Sequence, residues 1–546
     1  MLPAYTPNRP MDHPRRRRAE FQERPRPRGM RLRGPMVPSP GHNATGRDLT
    51  KTLPPELIVK ICEYMVETEV VRDLAPWKLY RSYKKWIPAS STCMRWRKIA
   101  FTAPSLWRVI DVGSTGWALR FGLDLVPDGV PLEITFHDPG PIPFFVSTLH
   151  KNAHRIEKLI IPELDDRDIL SGLTSIFCWS SMPQLKELWV NTVPRTRDDD
   201  FQPFIRPELV PNLQAVHFTH LRVNWGSPII PNLRALSLGC SPAQDRCYLD
   251  QFLNIMATCQ RLEFLKIDRA FPIFGEDQSK IRIALPKLRE VYLTADDPRE
   301  VHHVLSHIRF DPSVNIDVHI RIDVDGPEHP FAHTGISSVI PYDAACIPVL
   351  GAATRAMVKD YNFECWGPGG CGRLALTFDY LRVHYWRYTV SEHAREFGDL
   401  LSRAPVAALT IQKEWSPSLA TADLSRLLRK FSKVVCLEHI GLRNDLKNVL
   451  MPRESREGSG RVSCITALPQ LRALRLTGMV WDPYFVIGLR DCLRARYMAG
   501  LVLDDLLVEF RGRGTMFTRK DIEYRTLDAE EDMKQLVRGP VQVRRN

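Results

Sequence analysis

No run of about 18 consecutive apolar residues occurs, so the sequence offers no obvious membrane-spanning helix, and its basic start is not followed by the apolar core of a secretory signal. A soluble intracellular protein, in cytoplasm or nucleus, is the expectation. Cysteine is sparse, 12 in 546 residues, with neither dense spacing nor a repeated Cys-x-x-Cys pattern. This argues against a disulfide framework and for reduced, mostly buried thiols. Signatures of catalysis are also missing. Gly367-Pro-Gly-Gly370 is followed by no Gly-Lys-Ser or Gly-Lys-Thr to complete a phosphate loop, and no activated-nucleophile motif is found. Cys365 and Cys371 have His384 as their nearest histidine, too few ligands for tetrahedral zinc. His303 and His307 suit one helix face, but His302 points elsewhere, and no carboxylate or third ligand completes a set. The sequence therefore assigns no catalytic residue, no metal and no cofactor.

Charge of one sign is scarce outside the amino terminus. Residues 1–48 hold 11 Arg against 4 acidic residues, a net +7 of the chain's +12, leaving about +5 on the other 498. That tail mixes Arg with Pro and Gly and lacks apolar periodicity, so it reads as a disordered basic segment. Arg15–Arg18 is a compact basic run suited to an import receptor, phosphates or an acidic surface, although a solvated tail is the plainer reading. Nucleic acid as the main partner is disfavoured because the basicity is confined there. The apolar fraction of 44% is ordinary, so most of the chain is expected to fold.

Downstream of the tail, Leu53-Pro-Pro-Glu-Leu-Ile58 starts an amphipathic helix. Pro54 and Pro55 suit its entry, Glu56 its first turn, and Leu57, Ile61 and Met65 form a stripe widened by Ile58 and Cys62. After Pro88 a second helical run sets Ala89, Cys93, Trp96 and Ala100 on one side. Such short helices need each other and a further element, expected around Pro104–Ile110.

The Leu-Pro-Pro-Glu start, the Cys93-Met-Arg-Trp-Arg-Lys-Ile-Ala100 run and Pro104-Ser-Leu-Trp107 together resemble an F-box over roughly 50–110, in the form found ahead of repeat domains in fungal proteins. The departure is an insertion, Glu67–Trp86 with two Trp and two Tyr, where an F-box has a compact turn. The resemblance implies docking on a Skp1-like adaptor and, through it, cullin. Carried over by motif position, Leu53, Pro54, Leu57, Ile58 and Ile61 are early contacts; Trp96, Ile99, Leu106 and Trp107 support the contact or the core.

Farther on, one phrase recurs with the pattern Leu-x-x-Leu-x-Leu: Pro183–Val190, Pro211–Phe218, Pro231–Leu238, Arg261–Ile267 and Pro286–Leu293. Its anchors Leu185, Leu213, Leu233, Leu262 and Leu288 stand 28, 20, 29 and 26 residues apart. These spacings resemble leucine-rich repeats, each a short strand with a return segment. Ala153–Ile161 and Pro131–Phe136 extend the pattern backward; Val434–Ile440, Pro469–Leu476 and Leu501–Phe510 extend it forward. Leu249, Phe252, Leu253 and Met256 form one helix face between repeats, and Val301, Val304, Leu305 and Ile308 another.

The expected fold is α/β: a small helical F-box module followed by a leucine-rich-repeat solenoid. The division reads as a tail over 1–48, the module over 50–110, a repeat block over 111–310, irregular repeats or an insertion over 311–400, a second block and cap over 401–510, and a partly flexible tail over 511–546. Cys365–Cys371 reads as a turn inside the irregular part. The combination implies a non-catalytic, substrate-recruiting subunit of a Skp1-cullin-F-box ubiquitin ligase, with Trp189, His217 and Lys266 in variable slots of repeat strands as candidate substrate contacts. The alternative is an interaction scaffold outside a productive ligase.

Overall fold

A computed structural model describes residues 53–67, 88–89, 92–112, 117–136, 142–164, 175–192, 205–221, 223–240, 246–275, 281–322, 335–343, 345–380, 386–412, 421–441, 446–456, 462–465, 467–511 and 528–545. The chain divides into two compact units, Met1–Pro54 and Pro55–Asn546, and only Leu53 and Pro54 of the first are described. The basic tail and residues 68–87 of the aromatic insertion lie outside the described residues.

Helix α1 (Pro55–Glu67) begins on a proline, whose missing N–H and preset φ suit a first helical position, with Glu56 in its first turn. Helix α2 (Met94–Thr102) starts after Cys93, which is extended at φ −156° and serves as the N-cap residue rather than part of the apolar helix face. It stops where Ala103 turns extended (φ −88°, ψ 107°), as the residue before a proline tends to. Pro104 then opens the single turn α3 (Pro104–Trp107). The three helices pack on one another, and α3 leads directly into the first strand of the sheet.

Among the described residues that sheet has 17 strands. Ten precede and include the first strand of the irregular region's hairpin: β1 (Val109–Val112), β2 (Leu132–Phe136), β3 (Ile156–Leu164), β4 (Glu187–Thr192), β5 (Ala215–Thr219), β6 (Ala235–Gly239), β7 (Phe264–Asp268), β8 (Glu290–Ala295), β9 (Asn315–Ile322) and β10 (Arg355–Lys359). The others are β11 (Asn362–Trp366), β12 (Arg373–Tyr380), β13 (Ala408–Gln412), β14 (Cys436–Ile440), β15 (Ala473–Val480), β16 (Asp505–Arg511) and β17 (Val541–Arg545). From β1 to β9 each strand pairs in parallel with the next. Strand β9 then pairs in parallel with β12; β12, β11 and β10 form an antiparallel meander, and β10 hands the parallel ladder on through β13–β17.

The irregular region thus contributes four strands to the same sheet. Cys365 and Trp366 end β11, and the turn after them carries Gly369, Gly370 and Gly372 at φ between 66° and 80°. That left-handed backbone is why glycine recurs here. A chain that doubles back antiparallel needs only such a tight turn, whereas a parallel neighbour needs a long return, which is why the anchor spacing breaks at this point.

Strand residues alternate between buried and half-buried in β4 to β9. Leu188, Val216, Leu236, Leu265, Val291 and Ile316 sit opposite one another in turn and line the core. The 28-, 20-, 29- and 26-residue steps between anchor leucines are the steps between these first five residues. Helix α4 (Leu249–Thr258) buries Leu249, Phe252, Leu253 and Met256, and α5 (Pro298–His307) buries Val301, Val304 and Leu305. Asp297 caps α5 by accepting a hydrogen bond from the Arg299 N–H at 2.9 Å. Beyond 511, where the sequence shows no long apolar stripe, residues 528–534 form a helical segment and β17 pairs with β16, while residues 512–527 lie outside the described residues. Five strand residues are too few for periodicity to announce them.

Arg155, 1% exposed just before β3, ties the loop that leads into β2 to the start of β3. Its guanidinium donates to the carbonyls of Val126 (2.9 Å) and Pro127 (2.7 Å) and to Asp128 (3.0 Å). Replacing it by Met keeps most of the volume but leaves the buried bond to the Val126 carbonyl and the partly buried bond to the Pro127 carbonyl without a donor. Arg155→Met is expected to lower unfolding stability by about 2–3 kcal/mol, read from the urea midpoint; an unchanged midpoint would show that water satisfies the loop equally well.

Candidate functional sites on the helical module and the sheet

Helix α1 presents two apolar edges with different fates. Ile58 and Cys62, one turn apart, are fully buried against the module, whereas Leu57 and Ile61 are 46% and 39% exposed. Tyr64, at 68% exposure, continues the outer edge. The inward edge is therefore Ile58/Cys62 rather than Leu57/Ile61/Met65. Periodicity shows that a broad stripe exists, but only the position of α2 decides which edge it covers. Among the other adaptor-facing candidates, Leu53 is half-buried and Pro54 exposed at the chain position before the helix. Trp96, Leu106 and Trp107 are buried, and Ile99 is half-buried. The rings of Trp107 and Phe101 lie 5.5 Å apart, so Trp107 acts here as an internal anchor.

On the sheet face opposite the core, one row of register runs Trp189, His217, Ser237, Lys266, Tyr292, Asp317. The structure thus brings the three sequence-derived slots into a single line. Tyr292 and Asp317 were not singled out by sequence; yet Ser237 and Tyr292 occupy the same slot, four residues after an anchor leucine, so the signal was present. The Trp189 and His217 rings lie 3.7 Å apart at 30°, and the Trp189 Nε1–H donates to Glu187. The Lys158 ammonium stands 5.6 Å from the Trp189 ring centre. At the other end Phe264 and Tyr292 rings lie 5.4 Å apart, and Arg373 bridges Asp317 (3.3 Å) and Glu364 (2.8 Å).

Burial lowers the His217 pKa to about 3, and Lys158 and Lys266 push in the same direction. The Glu187 carboxylate, 4.0 Å from Nε2, opposes them without restoring the charge. His217 is therefore a neutral ring on the aromatic end. On unfolding its pKa returns to about 6.5, so the unfolded chain binds the extra proton and stability falls as pH drops from 6.5 toward 3. Relative to His217→Gln, the wild type is expected to lose about 2 kcal/mol between pH 7 and pH 5 in urea denaturation. A wild-type-minus-variant difference independent of pH would sink this assignment.

Residues 50–112, which hold the proline-led helix α1, the α2 and α3 helices around Trp96 and Trp107 and the passage into the sheet, match a known family model described as F-box-like. Residues 50–112 are an F-box-like domain. F-box domains are in general adaptor modules of Skp1-cullin-type ubiquitin ligases and are generally non-catalytic. No curated protein matches the chain. Elsewhere in the chain Cys365, His303 and His307 are packing groups, Cys371 is exposed, and His384 lies outside the described residues. Burial pushes the Cys365 thiol up to about 12, Phe274 stacks on His303 at 4.6 Å, and His307 Nδ1 lies 2.6 Å from the His303 carbonyl. Among the described residues no group of three or more His, Cys, Asp or Glu is placed to hold a metal ion, and no helix is long and apolar enough to cross a membrane.

Proposed function

We propose that the chain is the substrate-recruiting subunit of a Skp1-cullin-F-box ubiquitin ligase, docking through α1 and selecting a protein with a leucine-rich-repeat solenoid. The observation that carries the docking half is the outward pair Leu57 and Ile61 on a helix whose other apolar edge is filled. Leu53 and Pro54 join this contact by motif position; Ile58, Trp96, Leu106 and Trp107 serve it by holding the module together, and Ile99 stands at its margin.

Support for the repeat half comes from an asymmetry of the ladder. Parallel sheets are commonly covered on both faces and read as continuous apolar strands, whereas these strands alternate, with polar and aromatic residues on one face. A stacked repeat array has that character because its return segments cover one side only. Trp189, His217 and Lys266 then face the substrate.

Purified full chain mixed with a Skp1-like adaptor and cullin tests this reading. A stable ternary complex that ubiquitylates a captured protein supports it. An adaptor complex that excludes cullin favours an interaction scaffold outside a productive ligase, and failure to bind the adaptor removes the docking assignment altogether.

A further inference from the structure

Strand β15 runs through Trp481 into helix α6 (Pro483–Met498), where the Asp482 side chain accepts from the Tyr484 N–H at 3.0 Å and Pro483 takes the first turn. The helical segment 528–534 lies alongside, and the two enclose a pocket of about 190 Å³. Its apolar lining comes from Trp481, Val486, Ile487, Ala529 and Met533. Trp481 and Met533 are 7% and 2% exposed, so the pocket has a firm floor, whereas Ile487 at 47% stands open to solvent.

Three features define what fits. The volume falls below the roughly 300 Å³ at which pockets for free small molecules begin, and suits one bulky side chain of a larger ligand. The lining is chiefly apolar, and the Trp481 indole N–H is itself buried, without a hydrogen-bond partner among the described residues. Arg490 is already paired with Asp532 at 3.0 Å, so the remaining charge of the lining is the exposed Asp528 carboxylate, which has no partner among the described residues. The rim is net negative. Tyr484, 79% exposed one helical turn from Ile487, adds an aromatic surface beside it.

We propose that this pocket docks a linear segment of a partner protein, taking a leucine or phenylalanine side chain whose neighbouring Lys or Arg lies against Asp528. The apolar anchor supplies affinity and the acidic rim supplies register and selectivity, a division typical of peptide recognition. Nothing in it needs a ligase partner, so it stands or falls separately from adaptor docking.

Saturation-transfer NMR on the full chain tests it with three hexapeptides at about 1 mM, a concentration suited to weak single-anchor binding: Gly-Ser-Phe-Lys-Ser-Gly and its Ala-Lys and Phe-Glu counterparts. Strong transfer to the side-chain protons of the third residue of the Phe-Lys peptide is expected, at least about tenfold above those of the same position in either counterpart. Ile487→Asp, at an exposed position that leaves the fold intact by circular dichroism, should remove that transfer. Asp528→Lys should reverse the preference toward the Phe-Glu peptide. Equal transfer to the Ala-Lys and Phe-Lys peptides, no transfer at all, or an unchanged preference in Asp528→Lys would each overturn the proposal.

Discussion

The double substitution Leu57→Asp/Ile61→Asp is expected to abolish co-purification with a Skp1-like adaptor while leaving the fold unchanged. Both side chains stand at least 39% exposed on α1, so the free protein accommodates carboxylates there with little loss of stability. At an apolar interface the same carboxylates would be buried without partners. Together with the lost hydrophobic contact, the expected penalty is at least about 3 kcal/mol, a hundredfold or more in affinity. Ile58→Asp is the contrasting variant. Its side chain is fully buried, so adaptor binding should disappear only along with the helical module, visible as lost circular-dichroism signal and proteolysis near Arg95–Lys98. If the Leu57/Ile61 double variant binds as the wild type does, the outer edge of α1 is not the docking surface.

Leu265→Ala is expected to cost about 3–5 kcal/mol, whereas Lys266→Ala, the next residue, should cost less than about 0.5 kcal/mol. Leu265 is fully buried, between Leu236 on β6 and Val291 on β8, and truncation opens a cavity that three strands share. Lys266 points to the other face and sits in the row of Ser237 and Tyr292. Because stacked strands draw much of their stability from their neighbours, hydrogen-exchange protection in Leu265→Ala should fall first in β6, β7 and β8, with β14–β16 less affected. Urea denaturation gives the two costs. Comparable losses for the two variants would mean that both faces of the ladder are packed, and the half-buried row at Trp189, His217 and Lys266 would then be no recognition surface.

Much of this architecture was legible in the residues themselves. Pro55 and Pro104 mark helix starts because proline's fixed φ and missing N–H belong there. The anchor leucines foretold the strand register, since one face of each strand must be apolar for the ladder to have a core, and the same counting points to the slot that holds Ser237 and Tyr292.

Other features depended on contacts between distant segments. Nothing in the stripe of Leu57, Ile58, Ile61, Cys62 and Met65 says which edge meets α2, so the buried state of Ile58 and the exposure of Leu57 came from packing. Trp96 and Trp107 carry the same ambiguity, because aromatic burial favours interiors and interfaces alike. The meander β10–β12 interrupts the repeat spacing yet keeps the sheet continuous, a result of β9 pairing with β12 across 58 residues, from Ile316 to Leu374. His217 acquires its depressed pKa chiefly from burial in the assembled sheet, to which Lys158 and Lys266 on other strands add. Local sequence determined element type and inward-facing pattern, because those depend on periods of two and 3.6 residues within one segment. Tertiary structure decided which apolar surfaces stayed open, because that depends on which partner segment reaches them first and fits.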